Sequence, residues 1–411
     1  MAAAGLPPLQ RLTWLEIDTD ALAANLRAVR TLAPPGARVA AVVKADAYGH
    51  GLEPTARAFI AAGADLLCVA TLDEGLRLRE IGLEAPVLVL FEVPPKALAV
   101  AREADLDVVA ADPAGLGEML AAAAESARAG RAVRPLRVHL EVETGLARAG
   151  HRPELAGAAA RRIAEAPGVE LVGLWSHYAS SHDALATAEQ VRRFRAAEGA
   201  LLAAGVPLPP RHLAATGGLF SAAAGPGELV RPGLALYGEL PADFPIADAA
   251  RGVAGALRPA MTLKARPLRV ETIATGEPVG YGGLWRAPRP SVVATLPLGY
   301  GDGWSRAYGG RTSALVRGRR VPLVGSVAMD VVMADVTEVE GVTPADEFVL
   351  LGEQGGERIT AAELARVRTT ISWEVLASMA YRIARVYHAA AGLTGTRTLA
   401  AEHHPVEVGR G

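Results

Sequence analysis

The chain has 411 residues, of which 51% are hydrophobic and 21% are charged, so it can bury the core of one or two globular domains. Its 42 Lys and Arg nearly balance its 44 Asp and Glu, and the net charge of -2 argues against a nucleic acid or an anionic membrane as a partner. The single cysteine, Cys68, cannot form a disulfide within one chain, and no apolar run is long enough to span a membrane. We therefore expect a cytoplasmic protein.

The first region of regular structure extends from Arg38 to Arg231, where short apolar runs alternate with longer stretches of helical periodicity. This alternation is typical of repeated βα units around a parallel sheet. Eight strands are predicted, at residues 38–43, 65–70, 86–91, 107–110, 136–142, 170–175, 211–214 and 228–230. Eight units favour an α/β fold of the (β/α)8 barrel type, placed at residues 12–252, although a doubly wound open sheet shares the pattern and stays possible.

A second region follows, in which closely spaced strands are separated by Gly, Pro and Asp turns. Its strands are predicted at residues 262–273, 291–298, 313–316, 320–324, 331–336 and 347–351. Two helices, at 361–367 and 372–383, close this β-rich domain, which we place at residues 253–395. Residues 396–411 then form a tail that we expect to be partly disordered.

Several chemically reactive residues fall at the same end of the predicted barrel strands. Lys44 follows the first strand, Glu141 lies near the end of the fifth, His177 follows the sixth, Thr216 follows the seventh and Arg231 ends the eighth. In a barrel, the loops after the strands converge on the axis, so active sites lie at this end. The sequence therefore predicts one site that contains these side chains.

The most informative segment is residues 41–51, Ala-Val-Val-Lys-Ala-Asp-Ala-Tyr-Gly-His-Gly, which brings Lys44 from a buried strand into a loop of small residues. A lysine after a strand is usually just solvated, but this segment resembles the alanine racemases. In that family the matching lysine forms a Schiff base with pyridoxal phosphate, which needs an amine that can be neutral when it attacks. The resemblance continues at residues 14–18, 143–150, 176–179, 230–233, 279–282, 298–303 and 327–330.

The resemblance implies a set of groups that hold the cofactor. Its phosphate would be bound by hydroxyl and backbone N–H donors, those of Tyr48, Thr216, Tyr381, Gly233 and Leu234. Arg231 would face the pyridine nitrogen, where a permanent cation opposes protonation of the ring. Two alternatives stay open, since Tyr381 could be a core residue and Arg231 could form a structural salt bridge.

Racemisation also needs two acid/base groups on opposite sides of the cofactor. Lys44 would be one, and the resemblance implies that the other is Tyr281 from the β-rich domain of a partner subunit, in a homodimer with shared active sites. His177 and Arg148, which also contact the cofactor in this interpretation, would supply positive charge that favours ionised tyrosine. The structural alternative for Tyr281 is an aromatic residue of a glycine-rich turn.

The family's substrate contacts map onto three residues. Arg148 and the backbone of Met329 would bind the substrate carboxylate, and Tyr300 would narrow the entrance so that a methyl side chain fits best. The predicted substrate is therefore alanine. A broad-specificity or serine racemase, a decarboxylase with a similar barrel and β domain, and a non-catalytic pyridoxal phosphate-binding protein remain alternatives.

The chain departs from the family at two positions. Many members carry a lysine carboxylated by carbon dioxide where this chain has Glu141, and we expect Glu141 to supply Arg148 with a permanent carboxylate. Where the family commonly has asparagine and serine, this chain has Ala215 and Thr216, so the hydroxyl is kept and the amide is lost.

A metal-dependent barrel hydrolase is the remaining alternative, suggested by nine histidines and by the segment His139-Leu140-Glu141. The histidines are scattered without paired ligand spacing, so no metal site is predicted.

Overall fold

The computed structural model describes residues 1, 4–128, 134–223, 225, 227–241 and 244–403. Its strands are β1 (Thr13–Asp18), β2 (Arg38–Val42), β3 (Leu66–Val69), β4 (Val87–Val89), β5 (Val108–Ala110), β6 (Leu136–Glu141), β7 (Val169–Trp175), β8 (Arg211–His212), β9 (Leu229–Val230), β10 (Met261–Ala265), β11 (Arg269–Ile273), β12 (Pro278–Val279), β13 (Trp285–Arg286), β14 (Ser291–Leu296), β15 (Ser313–Val316), β16 (Arg319–Val324), β17 (Val332–Asp335), β18 (Phe348–Gln354), β19 (Glu357–Ile359), β20 (Ala384–Ala389), β21 (Gly392–Arg397) and β22 (Glu402–His403). Its α-helices are α1 (Thr19–Arg30), α2 (Lys44–Tyr48), α3 (Leu52–Ala61), α4 (Leu72–Glu80), α5 (Leu98–Glu103), α6 (Leu116–Arg128), α7 (Pro153–Glu165), α8 (Ala184–Ala203), α9 (Thr216–Phe220), α10 (Arg251–Ala256), α11 (Ala361–Arg368) and α12 (Ser372–Ala377).

The barrel consists of β2 to β9, which correspond to the eight predicted strands. They form two four-stranded parallel sheets, in the orders β4-β3-β2-β9 and β5-β6-β7-β8. The parallel bridge Leu88–Asp107 joins the first sheet to the second, and the bridge Ala215–Arg231 joins them again on the other side. The sheet is therefore closed, which confirms the (β/α)8 barrel over the open sheet.

The local sequence explains the barrel elements. Strands such as β3, Leu-Leu-Cys-Val, are buried along their whole length because helices cover the outside of the barrel and side chains fill its inside. The helix α4 begins with a capping box, in which Thr71 and Glu74 satisfy each other's backbone N–H groups. Glu74 also accepts from the backbone N–H of Ala45, so this cap helps to fix the loop after Lys44.

The β-rich domain contains one large sheet, in the order β11-β14-β17-β16-β15-β18-β10-β1-β20-β21-β22, with β19 paired to β18. The sequence predicted a single strand at 262–273, but the structure has two, β10 and β11, at separate places in the sheet. Pro267 lies between them, and proline has no N–H to donate to a ladder. The predicted β-rich character of this half is confirmed.

Two segments differ from the sequence-based expectations. The first strand, β1, falls within the range predicted for the barrel, yet it pairs antiparallel with β10 and parallel with β20 of the large sheet. The second predicted helix, at 372–383, ends at Ala377. The carbonyl groups of Met379, Ala380 and Ile383 accept hydrogen bonds from the Arg385 guanidinium, which replaces the donors that a continued helix would supply.

The predicted tail begins as regular structure. Residues 396 and 397 complete β21, and β22 pairs with β21 through Thr396–His403 and Arg397–Glu402. Residues 404–411 lie outside the described residues. Among the residues that are described, no helix combines the length and the apolar composition that a membrane crossing requires.

Candidate active site

A cavity of about 400 Å3 lies at the carboxyl ends of the barrel strands, and this volume is typical of a small-molecule site. Eight of the predicted site residues line it: Lys44, Tyr48, Arg148, His177, Thr216, Arg231, Gly233 and Leu234. Tyr178, Ser181 and Phe244 line it as well, and no role was predicted for these three. Closure of the barrel thus brings residues that are up to 190 positions apart, as Lys44 and Leu234 are, to one cavity.

Lys44 is half-buried just after β2, and the short segment α2 that begins with it is a left-handed turn rather than a regular right-handed helix. Ala45, Asp46 and Ala47 have φ of 54° and Tyr48 has φ of 51°, so four successive residues other than glycine adopt the left-handed conformation. Each such residue costs about 1–2 kcal/mol, and the turn persists only where its surroundings hold it. The Glu74 carboxylate accepts from Ala45 N at 2.6 Å, and the Asp46 carboxylate accepts from Leu52 N at 2.8 Å.

The surroundings of Lys44 favour its uncharged form. Burial lowers the pKa of Lys44, and the Arg148 and Arg231 guanidinium groups lower it further, against the opposing effect of Glu74. A neutral amine is the nucleophilic and basic form of lysine. The cavity therefore shifts Lys44 towards the state that both condensation with a carbonyl group and removal of a proton require.

A cradle of uncharged donors lies beside Lys44. The Gly233 N–H donates to the Thr216 hydroxyl at 3.0 Å, and a Cβ atom on Gly233 would come within 2.6 Å of the Tyr48 hydroxyl. A Cβ atom on Gly217 would overlap the Ser181 hydroxyl. Glycine at both positions thus lets backbone and hydroxyl groups come close together. Such N–H and O–H donors can bind a phosphate group without a positively charged side chain.

Arg231 is fully buried beneath this cavity. Its guanidinium donates to the carbonyl oxygens of Ser176 at 2.8 Å and His212 at 2.9 Å, and its Cζ lies 4.9 Å from the centre of the Trp175 ring. No carboxylate of the described residues forms an ion pair with it, so the salt-bridge alternative has no support. Burial lowers the pKa of Arg231 to about 10, and the group still carries a full positive charge at neutral pH.

His177 differs electrostatically from the expectation. Burial, with the Arg231 and Arg148 cations, lowers the pKa of His177 to about 3, so its ring is neutral at neutral pH. It therefore cannot supply the positive charge that was expected to favour ionised Tyr281. Of the two residues proposed for that task, only Arg148 carries charge.

Five predicted site residues do not line the cavity. One is Glu141, which is buried behind Arg148, and the other four are exposed. Tyr281, Tyr300, Met329 and Tyr381 are 78%, 40%, 53% and 54% exposed. The first three lie together in the β-rich domain, because Met329 belongs to the loop 326–329 and the other two are bonded to it. The Ser326 hydroxyl donates to the Tyr281 carbonyl, and Tyr300 N donates to the Ala328 carbonyl. The exposure of Tyr381 also argues against its being a core residue.

Known sequence families match nearly the whole chain. The family described as alanine racemase, N-terminal domain, matches residues 17–241, and the family described as alanine racemase, C-terminal domain, matches residues 260–387. The chain belongs to the alanine racemase family.

Individual relatives and solved structures agree with this assignment. An alanine racemase from Symbiobacterium thermophilum is 40% identical over 381 residues, which cover 92% of this chain and 97% of that protein. The crystal structure of alanine racemase from Bacillus anthracis with bound L-Ala-P superposes with a TM-score of 0.86 at 29% identity, over 95% of this chain and 99% of that one. The alanine racemase of Streptomyces coelicolor superposes with a TM-score of 0.83 at 35% identity, over 94% and 99% of the two chains.

The two departures from the alanine racemase pattern can be placed in the structure. Arg148 donates to the buried Glu141 carboxylate at 3.2 Å, so this shorter side chain reaches the arginine directly. Burial raises the pKa of Glu141, and Arg148 opposes that rise. At the second position Ala215 presents only a methyl group, while its neighbour Thr216 keeps the hydroxyl that accepts from Gly233 N.

Below the cavity lies a chain of buried polar groups that was not predicted from the sequence. His212 Nδ1 lies 2.7 Å from Arg231 Nη1, His212 Nε2 lies 2.9 Å from His139 Nδ1, and His139 Nε2 lies 3.4 Å from the Asp107 carboxylate. A sequence signal existed, because His139 lies two residues before Glu141 on β6 and so points to the same side of the strand. These contacts form a relay from Asp107 to Arg231.

The proton positions in the relay follow from its two ends. A guanidinium can only donate, so His212 Nδ1 accepts and His212 Nε2 carries the hydrogen. His139 Nδ1 then accepts, and His139 Nε2–H points to the Asp107 carboxylate. Both rings are neutral in this arrangement. His212 turns its lone pair to Arg231 and His139 turns its lone pair to His212, so the aligned dipoles offset part of the buried charge of Arg231.

The two histidines of the relay therefore contact each other rather than a metal ion. Among the residues that the structure describes, no three His, Cys, Asp or Glu side chains are grouped so that they could hold a metal. The metal-dependent hydrolase alternative has no structural support from the segment that suggested it.

The relay makes stability depend on pH in a definite direction. Burial, with the Arg231 cation, holds the pKa of His212 well below its ordinary value of 6.5. The unfolded chain takes up a proton at this residue as the pH falls through about 6.5, whereas the folded chain does not, so acid destabilises the fold. In His212→Gln, the fall of the unfolding free energy between about pH 6 and 5 should be shallower by about 1 kcal/mol per pH unit.

Urea unfolding of the two proteins over a pH series measures this difference. At about pH 8 no histidine titrates in either state, so the two slopes should agree there and serve as the internal control. Equal slopes at acid pH would show that His212 is protonated in the folded protein, and the relay would be wrong.

Proposed function

We propose that the protein is a pyridoxal phosphate-dependent racemase that interconverts L- and D-alanine. The observation that carries this proposal is the convergence of Lys44, Arg231 and the Tyr48–Thr216–Gly233 cradle on one cavity. Its relatives are named alanine racemases, and the Bacillus anthracis structure has L-Ala-P bound. A cavity lined by an amine and by arginine side chains also suits the carboxylate of an amino-acid substrate.

The residues fit the proposed cofactor. Hydroxyl and N–H donors of the cradle would bind the phosphate group of the cofactor. The ring nitrogen would face Arg231, a cation that has no carboxylate partner among the described residues. When bound, pyridoxal phosphate supplies the electron withdrawal that makes the α-hydrogen of an amino acid acidic. Because Arg231 stays protonated, it opposes protonation of the ring and limits that withdrawal, which favours prompt return of a proton to the α-carbon over side reactions.

The chain's own residues then account for proton transfer on one face. Burial and two arginines lower the pKa of Lys44, which enlarges the neutral fraction of Nζ that can accept the α-proton and give it back in the reverse direction. Arg148 is half-exposed at the cavity wall and braced by Glu141, where it can bind the substrate carboxylate.

The second face requires another acid/base group, and the predicted one, Tyr281, does not line this chain's own cavity. We propose that the partner subunit's Tyr281 supplies it in a homodimer, with the partner subunit's Tyr300 and Met329 limiting the entrance. The exposed patch formed by these three side chains supports this arrangement, because large side chains exposed together often mark a protein–protein contact. The β-rich domain, proposed at residues 253–395, would then complete the site of the other subunit.

Substrate range and cell context remain within the same proposal. A small entrance favours alanine, while a serine or broad-specificity racemase is the second candidate, and rates across a panel of amino acids separate them.

We propose a cytoplasmic location because a chain with one buried cysteine suits a reducing compartment. D-Alanine would then be available for peptidoglycan precursors or for catabolism.

The first test uses the small number of lysines. The chain has three, Lys44, Lys96 and Lys264, so borohydride reduction of the holoenzyme followed by peptide mapping can assign the covalent cofactor to one of them. We expect the adduct on Lys44, and Lys44→Ala should lower alanine racemisation by about 10³-fold or more, because it removes both the attachment point and one acid/base group.

Chiral chromatography of L-alanine incubations measures the activity, and Lys96→Ala is the matched control that should keep it. An adduct on another lysine, or full activity in Lys44→Ala, would refute the proposal.

A second test concerns the carboxylate beside Arg148. The carboxyl group of Glu141 is part of the side chain and does not need carbon dioxide to form, so activity in a carbon-dioxide-depleted buffer should not rise when bicarbonate is added. Glu141→Gln keeps the shape but loses a charge-assisted hydrogen bond, and kcat/KM should fall by about 10- to 100-fold. A strong activation of the native enzyme by bicarbonate would contradict this role for Glu141.

A further inference from the structure

The strained turn after Lys44 is held by a residue from the other end of the chain. Arg397, on β21, forms a two-fold hydrogen bond with Asp46, Nη1 to Oδ1 at 2.7 Å and Nη2 to Oδ2 at 2.6 Å. Asp46 lies two residues after Lys44 and is the second of the four residues with left-handed backbone. Arg397 is buried, so this ion pair is shielded from water and salt far more than a surface pair.

A second arginine acts on the same turn. Arg385, on β20, lies directly opposite Arg397 in the strand pairing, where two like charges alone would repel. Asp46 lies against both, with Arg385 Nη2 at 3.9 Å, so its carboxylate compensates the pair. The Arg385 guanidinium also donates to the carbonyl of Gly49 at 3.0 Å, which closes the turn.

The opposite side of Arg397 contacts a proposed cofactor residue. Its Cζ lies 4.4 Å from the centre of the Tyr381 ring, a stacking distance at which a guanidinium attracts the face of an aromatic ring. Tyr381 is otherwise 54% exposed and belongs to the loop between α12 and β20. One side chain thus touches both the turn that presents Lys44 and the tyrosine predicted to reach the phosphate.

We propose that Arg397 is a positioning residue, which fixes the Lys44 turn through Asp46 and the Tyr381 ring by stacking, and so sets the distance between the attachment point and the phosphate end of the site. This inference rests on the proposed function. It assigns a role to a residue of the segment 396–411, which the sequence suggested was a partly disordered tail.

The pair offers a double-mutant test. Arg397→Ala and Asp46→Asn should each raise the dissociation constant for pyridoxal phosphate by about tenfold or more, because each breaks the same charge-assisted contact. The double variant should lose less cofactor affinity than the sum of the two single losses, since the contact that the two residues share cannot be lost twice. Arg397→Lys keeps the charge but loses the two-fold hydrogen bond and the planar stacking. Its dissociation constant for the cofactor should therefore lie between those of the native protein and Arg397→Ala.

A readout without cofactor separates positioning from activity. In the cofactor-free protein, amide hydrogen exchange of residues 45–51 should be about tenfold faster in Arg397→Ala than in the native chain. Arg317→Ala is the matched control, because Arg317 forms a similar two-fold pair with Asp346 at 2.8 and 3.0 Å on the surface of the β-rich domain. It should leave both exchange and cofactor affinity unchanged.

The outcomes distinguish the two proposals. If the native protein carries no cofactor on Lys44, the proposed function fails, while the exchange experiment still reports on the turn. If Arg397→Ala, or Arg397→Lys where the alanine variant does not fold, retains native exchange and native affinity, the positioning role is wrong. Additive losses in the double variant would also overturn it, because they would show that Asp46 and Arg397 act separately.

Discussion

The site depends on presenting the Lys44 amine, with a lowered pKa, in a fixed direction after a buried strand. Burial and the Arg148 and Arg231 cations disfavour the ammonium form of Lys44, which lowers its pKa. The direction comes from a left-handed turn that the backbone would not adopt by itself. Contacts from Glu74 and Arg397 offset that cost, so helix capping in the barrel and the last strands of the β-rich domain serve the same turn.

The second organising feature is the treatment of the Arg231 charge. Burying a cation without a carboxylate partner costs free energy. Carbonyl oxygens, the face of the Trp175 ring and two neutral histidines oriented by Asp107 stabilise the Arg231 charge instead. None of these groups neutralises the arginine outright. Arg231 therefore keeps its positive charge beside the cavity, which is what the proposed role opposite a ring nitrogen requires.

The sequence was sufficient to predict those features that depend on short, local residue patterns. The eight barrel strands and the lysine motif follow from short patterns, and the barrel brings together residues at the strand ends. Contacts between distant segments were not predictable, because no local pattern shows that β1 pairs with β20 or that Arg397 reaches Asp46. The early end of α12 was missed for the same reason, since the carbonyl groups that follow the helix accept hydrogen bonds from Arg385 in a later strand.

A single chain presents Lys44 inside its cavity and Tyr281 on an outer surface, so the central claim is that each site is built from two chains. Mixing equal amounts of Lys44→Ala and Tyr281→Phe subunits tests it most directly, because only the mixed dimer would then contain one site with both native groups. Random assembly should restore about a quarter of the native racemase activity from two inactive parents. A mixture that forms mixed dimers and stays inactive would contradict the shared site.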